Sequence, residues 1–455
     1  MLPKSKPLWT WDELCSALRQ PITSGPDILG IHFDSRLIRE GDLFIPLKGR
    51  INGHDFIPHA FANGAVGTLT EIDKDRIIPH LRVQNTLNVL NELAYYRRQQ
   101  LQCPVITVTG SSGKTTFQYF LSSILNTPPL EGSFNNHIGV PLSLARTPED
   151  AQYAIFEIGT NHSGELAPLS QLTKPDVAVL LNILEAHIGN FTSFAALEQE
   201  KFAITSGLSE NGIFVLPHSL SVHEFQSWGK KCLTFGFEKD ADLRIRHIKD
   251  NRYHFSSISD ETAVEVPGGG NHRAQTLAAC AAVLLVLQIP LKKLQSVTSV
   301  LPKGRGNIHS VAGITIIDDS YNASPSSVQE TLNVLRKTPT RSRRIAVIGQ
   351  MNELGDKSSC YHRNLAKHIK NIDLVYCVGE LALPLYEQLN RQSTFFFQAA
   401  DKALLDDLER ELRGLMAKLA QGEQAESVDR HWSCGWPQHD NRRHNRLDSR
   451  GSTPR

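Results

Sequence analysis

No two cysteines stand at Cys-x-x-Cys spacing: the seven (Cys15, Cys103, Cys232, Cys280, Cys360, Cys377, Cys434) are scattered and odd in number. That pattern argues against a disulfide framework and a zinc cluster and fits a reducing compartment, so the chain is expected in the cytoplasm. An excess of charge of one sign is missing too. Forty-eight Lys and Arg against 47 Asp and Glu leave a net charge of +1, unlike the basic surfaces that attract nucleic acid regardless of sequence. The N-terminus runs from two lysines straight into Trp9, Trp11, Asp12 and Glu13, without an apolar core of secretory-signal length. The longest apolar run, Leu277 to Leu287, falls short of the about 20 residues that cross a bilayer and reads as a buried helix. There is no internal repeat. What remains is an ordinary globular composition, 40% apolar and 21% charged over 455 residues, enough for about three domains; the chain is expected to be a monomer.

Up to about residue 82, short apolar runs alternate with turn residues, as in Gly41 to Leu47 and Gly53-His-Asp-Phe56, which suggests a small α/β unit. From about 104, apolar runs alternate with helical periodicity, the mark of βα units and a parallel sheet. The expected strands are Val105 to Val108, Tyr153 to Phe156, Val177 to Leu181, Ile213 to Leu216 and Leu233 to Phe235. The triple glycine at 268 to 270 precedes the long apolar helix, and Pro302 to Gly306 marks a boundary. Beyond it Ile314 to Ile317, Ile345 to Ile348 and Leu374 to Val378 announce another α/β domain. The expected division is 1–82, 83–306, 307–420 and a tail, 421–455. That tail holds six arginines, three histidines and two tryptophans without apolar periodicity; it is assigned no fold and expected to be disordered.

The strongest chemical signal is Val105-Ile-Thr-Val-Thr-Gly110-Ser-Ser-Gly113-Lys114-Thr115-Thr116, an apolar strand feeding a glycine-rich turn that opens a helix. In such a turn, backbone N–H groups of Gly110, Ser111, Ser112, Gly113 and the helix start converge on phosphate. Lys114 adds positive charge, and the Thr115 hydroxyl suits Mg²⁺. Val108 stands where a strict P-loop has its first glycine, so the motif is the shorter Gly-x-x-Gly-Lys-Thr. Glu157 and His187 each follow an apolar strand, on the carboxyl edge where open parallel sheets bind ligands. There they would suit a metal bridging nucleotide and substrate, although either is equally at home on a surface loop. By periodicity Lys201 lies on a solvated helix face. Asn271-His272-Arg273 would serve either as an adenine loop or as a helix cap. Asp318 to Pro325 follows a strand with the polar density of a functional loop, and Gly349 to Gly355 ends another strand similarly.

This set resembles the Mur ligases, over nearly the whole chain to about residue 410. The resemblance rests on Asp34-Ser35-Arg36, Gly41-Asp-Leu-Phe44, Thr109 to Thr116, Ser133-Phe-Asn135-Asn136-His-Ile-Gly139-Val-Pro-Leu142, Glu157-Ile-Gly-Thr160-Asn161, Ala186-His187, Glu200-Lys201 and Asp319 to Pro325. It implies a three-domain α/β architecture with a central P-loop parallel-sheet ATPase and a C-terminal Rossmann-like domain that closes over the nucleotide. It further implies that Ser35 and Arg36 meet a uridine diphosphate, and that Lys114, Thr115, Thr116 and the glycine loop meet ATP. Thr115, Glu157 and His187 would hold Mg²⁺, and Asn135, Asn136, Thr160 and Asn161 would line the muramoyl-peptide side. Arg305, Asp319, Tyr321 and Asn322 would contact the nucleotide. Lys201 matches a lysine that is carbamylated in several relatives, and with Lys114, Glu157 and His187 it completes the implied catalytic set. The loop at Asp319 resembles the branch that joins D-alanyl-D-alanine to UDP-N-acetylmuramoyl-tripeptide more than the diaminopimelate-adding branch. The alternatives are another amino-acid ligase of this mechanism and a non-catalytic nucleotide-binding relative.

Two departures accompany the resemblance. Asn271-His272-Arg273-Ala-Gln275 does not reproduce the family's His-Asn-x-x-Asn order. Relatives also finish with a strand carrying Lys-Gly-Ser-Arg, which is absent after residue 400; a compositional break near 414 to 421 suggests a frameshift or a divergent tail. A missing strand would leave a sheet with an unpaired edge.

Overall fold

The computed structural model describes residues 6–72, 79–128, 135–220, 231–311, 313–340, 343–420 and 429–433. Ser133 and Phe134 of the resemblance motif, Cys434, and the tail apart from 429–433 lie outside the described residues. The chain forms two compact units, one of residues 1–302 with 353–355 and one of 303–352 with 356–455.

Two sheets make up the first unit. Strands β1 (Gly30–His32), β2 (Asp42–Phe44), β3 (Ala65–Thr70) and β4 (His80–Arg82) pair in that order, all parallel. This is the small α/β element expected before residue 82. The larger sheet contains β5 (Val105–Thr109), β6 (Ala154–Glu157), β7 (Val177–Leu180), β8 (Ile213–Pro217) and β9 (Lys231–Gly236). It continues through β10 (Leu243–Lys249), β11 (Arg252–Ser256) and β12 (Glu261–Glu265). The order is β12-β11-β10-β9-β8-β7-β5-β6, parallel from β6 through β10 and then antiparallel.

All five residues of β5 are buried, as a parallel strand covered on both faces requires, and three of its side chains are Val or Ile, which pack well on a pleated surface. The expected apolar helix is real: Asn271–Val286 buries Leu277, Ala278, Ala279, Cys280, Ala281, Ala282, Val283 and Leu284 completely and packs into the same core as Ile106, Val108, Phe117 and Val179. Its start is fixed by Arg273, whose guanidinium donates to the Gly268 carbonyl at 2.8 Å.

Among the described residues the second unit carries one sheet of six strands: β13 (Asn307–Val311), β14 (Ile314–Asp318), β15 (Arg344–Gly349), β16 (Leu374–Val378), β17 (Thr394–Phe397) and β18 (Asp429–Ser433). The order is β13-β14-β18-β15-β16-β17, with only the β13–β14 pair antiparallel. Here the structure departs, at residues 429–433 alone, from the reading that gave no fold to 421–455. Residues 429–433 form a strand in the middle of the sheet, between β14 and β15, so no edge is left open at that slot. Asp-Arg-His-Trp-Ser lacks the β-branched run by which an interior parallel strand is recognised, which is why the pattern hid it.

Candidate functional site

β5 ends at Thr109, and the chain turns through Gly110 to Gly113 into the helix Lys114–Leu125. Gly113 caps that helix at φ +84°, a left-handed conformation that costs an L side chain about 1–2 kcal/mol. A Cβ there would also stand 3.0 Å from Thr276 Oγ1. The turn is braced from the end of β7. Ser112 N–H donates to Asn182 Oδ1 at 3.0 Å, and Asn182 Nδ2 returns a bond to the Ser112 carbonyl at 3.1 Å. Ser111 Oγ donates to the Leu184 carbonyl at 3.0 Å and accepts from Leu184 N–H at 2.9 Å. The first N–H groups of a helix point out of its N-terminus rather than into its own hydrogen-bond ladder, which makes this terminus a receptor for phosphate oxygens.

Next to this loop lies a buried carboxylate. Glu157, at the end of β6, accepts the Thr115 hydroxyl at 2.8 Å and Asn135 Nδ2 at 2.7 Å. Lys114 Nζ donates to the Gly110 carbonyl at 2.8 Å. His187 follows β7 in a left-handed conformation, φ +60°, and its Nδ1 is paired with the Glu353 carboxylate, on the short segment that belongs to the first unit. Burial pushes the His187 pKa down; Glu353 opposes this, while the nearby Lys114 and Lys201 add to it. Glu157 and His187 therefore take different partners. Among the described residues no three His, Cys, Asp or Glu side chains gather as a metal cage. The oxygen pair of Thr115 and Glu157 is still the hard donor set that Mg²⁺ accepts when phosphate oxygens and water complete its shell.

Lys201 departs from its expected place on a solvated face. It is 2% exposed, and its amine is pushed down to about 7, by burial first and by Lys114 second, with Glu200 opposing. The helix Phe194–Phe202 buries this residue with Leu197 and Glu200, so apolar periodicity carries no sign of it. A neutral amine near pH 7 is nucleophilic.

On the substrate side of the reading, Thr160 Oγ1 lies 2.7 Å from the His162 carbonyl and 3.2 Å from Glu200 Oε1, and Asn161 N–H donates to Glu165 Oε2 at 2.8 Å. Asn136 Oδ1 accepts from the N–H groups of Ile138 and Gly139 at 3.1 and 2.9 Å, holding the start of the helix Gly139–Ala145. Ser35 is buried, with Oγ 3.0 Å from His59 Nδ1, and Arg36 is exposed and held by Asp34 at 2.7 Å. That guanidinium keeps the Asp34 carboxyl below the usual carboxylate range.

In the second unit, the Arg305 guanidinium stacks 4.0 Å over the Tyr321 ring, and Tyr321 N–H donates to the Gly304 carbonyl at 3.0 Å. Asp319 Oδ2 accepts the Thr331 hydroxyl, and Asn322 Oδ1 accepts Ala323 N–H at 2.8 Å. Ser324 and Ser327 form a capping box at the start of the helix Pro325–Lys337, so this polar loop ends as a helix start. Sequence reasoning missed Asn182, which braces the phosphate loop; Glu200 and Glu353 lie in segments it named, Glu200-Lys201 and Gly349 to Gly355, but without the partners the structure gives them. Asn182 follows the apolar strand Val177–Leu180 by two residues, and that was the available signal.

Comparison with known proteins follows the same lines. Residues 108–284 match the model of the Mur ligase middle domain, and residues 304–423 match that of the Mur ligase glutamate ligase domain. The chain is 30% identical over 428 residues to a UDP-N-acetylmuramoyl-tripeptide–D-alanyl-D-alanine ligase of Rickettsia prowazekii, covering 87% of this chain and 93% of the relative. Among solved structures, MurF from Acinetobacter baumannii superposes with a TM-score of 0.78 at 29% identity, over 94% of this chain and 96% of that one. MurF ligase from Thermotoga maritima, solved in complex with ADP, gives 0.71 at 26% identity, over 89% and 94%.

Proposed function

The chain belongs to the Mur ligase family, and from that premise we propose that it joins D-alanyl-D-alanine to UDP-N-acetylmuramoyl-tripeptide at the expense of ATP, in the cytoplasmic synthesis of peptidoglycan precursor. The observation that supports this reading most directly is the glycine loop opening a helix beside a buried carboxylate, with Thr115 and Glu157 2.8 Å apart.

A carboxylate is a poor electrophile, so the chemistry requires activation. The γ-phosphoryl group of ATP passes to the tripeptide carboxylate and ADP leaves. The free amine of the dipeptide then attacks the acyl phosphate carbon, and phosphate departs with the bonding pair as the amine loses its proton. In this scheme the loop Gly110 to Thr116 aligns the phosphates through fixed N–H groups, and Lys114 neutralises charge that grows during transfer. Thr115, Glu157 and His187 are assigned to Mg²⁺, and the ion would supply charge neutralisation at the phosphates. Asn135 links Glu157 to the substrate side, where Asn136, Thr160 and Asn161 are assigned to the muramoyl peptide and Ser35 and Arg36 to the uridine diphosphate. Lys201, with its depressed pKa, is the residue suited to react with carbon dioxide; the resulting carbamate would be a further anion near the ion.

Phosphate release by the purified chain tests the reading. With ATP, Mg²⁺, UDP-N-acetylmuramoyl-tripeptide and D-alanyl-D-alanine present, release should require every component and match pentapeptide formed one for one. Turnover with a single amino acid in place of the dipeptide would move the chain to another branch. No turnover from a folded chain that binds ATP would leave only the nucleotide-binding alternative.

A further inference from the structure

The carboxylate of Glu200 is 6% exposed and takes no part in the scheme above, although it is the neighbour of Lys201. Its oxygens are spent elsewhere. Oε2 accepts Gly164 N–H at 2.7 Å; Oε1 accepts Leu166 N–H at 2.7 Å and stands 3.2 Å from the Thr160 hydroxyl. These partners bracket a single loop that runs from the end of β6 to the helix Leu166–Thr173. Inside the bracket, Glu165 Oε2 accepts the N–H groups of Asn161 and His162 at 2.8 and 3.2 Å. The loop is therefore pinned from within by Glu165 and from without by Glu200, a residue about 35 positions later on another helix.

We propose that Glu200 is a positioning residue that fixes the Thr160–Leu166 loop and thereby sets how tightly the muramoyl-peptide substrate is bound. The proposal rests on the assignment of Thr160 and Asn161 to that substrate. Two features make the carboxylate hard to replace. Both oxygens receive backbone N–H donors, so an amide would turn an N–H₂ group toward one of them and leave a buried donor without an acceptor. Hydrogen bonds to a buried charge are also the stronger class. Because the loop bonds occupy this charge, Glu200 acts on Lys201 only through space, the direction of that effect being to favour the charged amine.

Steady-state kinetics of the full chain separate the two influences. Glu200→Gln should raise the KM for UDP-N-acetylmuramoyl-tripeptide by about tenfold, with the KM for ATP within about twofold of the parent. Glu200→Asp, which keeps the charge but retracts it by about one methylene, should lie between them and supplies the test if the amide variant does not fold. An unchanged tripeptide KM in both folded variants would overturn the proposal. So would a fall in kcat with that KM unmoved, which would assign Glu200 to the electrostatics of Lys201. Asn161→Ala is measured alongside. If it leaves the tripeptide KM unmoved, the substrate-side assignment fails; if it raises that KM while the Glu200 variants do not, only the role of Glu200 fails.

Discussion

β5 and β18 hold equivalent places, each inside a parallel sheet with a strand on both sides, yet they are made of opposite material. Val-Ile-Thr-Val-Thr is buried throughout and gains from apolar burial on both faces as well as from its ladder. The sequence Asp-Arg-His-Trp-Ser holds no β-branched residue, and what the fold uses there is the backbone, which pairs with β14 on one side and β15 on the other. The lesson is that an interior strand can be specified by its side chains or by the vacancy between its neighbours, and only the first kind leaves a mark in the pattern.

The largest expected effect breaks chemistry without touching either strand. Lys114→Ala should lower kcat by about 10²–10³-fold while the thermal unfolding curve stays where it is; a shifted curve would mean that the bond from Lys114 to Gly110 supports the end of β5 rather than the reaction. Next comes the backbone of β18. Arg430→Pro removes an N–H from a strand that pairs with Ile316 and Ile345 and should destabilise the second unit by about 1–3 kcal/mol, read from denaturant unfolding. An unchanged midpoint would show that β18 adds nothing to its sheet.

Lys201 sharpens the contrast through pH. Its folded pKa, about 7, lies below the usual lysine value, so between about 7 and 10 the unfolded chain binds more protons than the folded one. Stability should therefore rise with pH across that window, by up to about 1.4 kcal/mol per unit, and be lowest below it, where the amine is charged in both states. Urea unfolding at several pH values should show this gain for the parent and not for Lys201→Met; parallel curves would mean that the amine stays charged inside the fold. The smallest effect is expected at Arg305, whose stacking on the half-exposed Tyr321 contributes about 0.5–1 kcal/mol. Arg305→Ala should cost about that much through the lost stacking, read from the unfolding of the second unit.

Much of this was legible. Every strand expected from an apolar run formed, from Val105 to Val108 through to Leu374 to Val378, and in the most buried of them, such as Val105–Thr109 and Leu374–Val378, burial on both faces forces the same residues that the pattern detects. The phosphate loop was legible because its glycines and lysine are adjacent in sequence. Residues whose meaning lies in a distant partner were not: Asn182 is 70 positions from Ser112, Glu353 is 166 from His187, and neither spacing has a period. Lys201 was misplaced on a solvated face because charged residues flank it on its helix, whereas tertiary packing turns it inward.

The left-handed backbone of His187 bears on how its side chain can be exchanged. At φ +60° alanine would add strain of its own, so a loss in His187→Ala would mix a distorted loop with a missing imidazole. Glycine accepts that conformation without strain, leaving the loop in place around a ring-shaped vacancy beside Glu353. Imidazole added to the buffer could then enter the vacancy, and the portion of activity it restores would measure what the ring does apart from its tether.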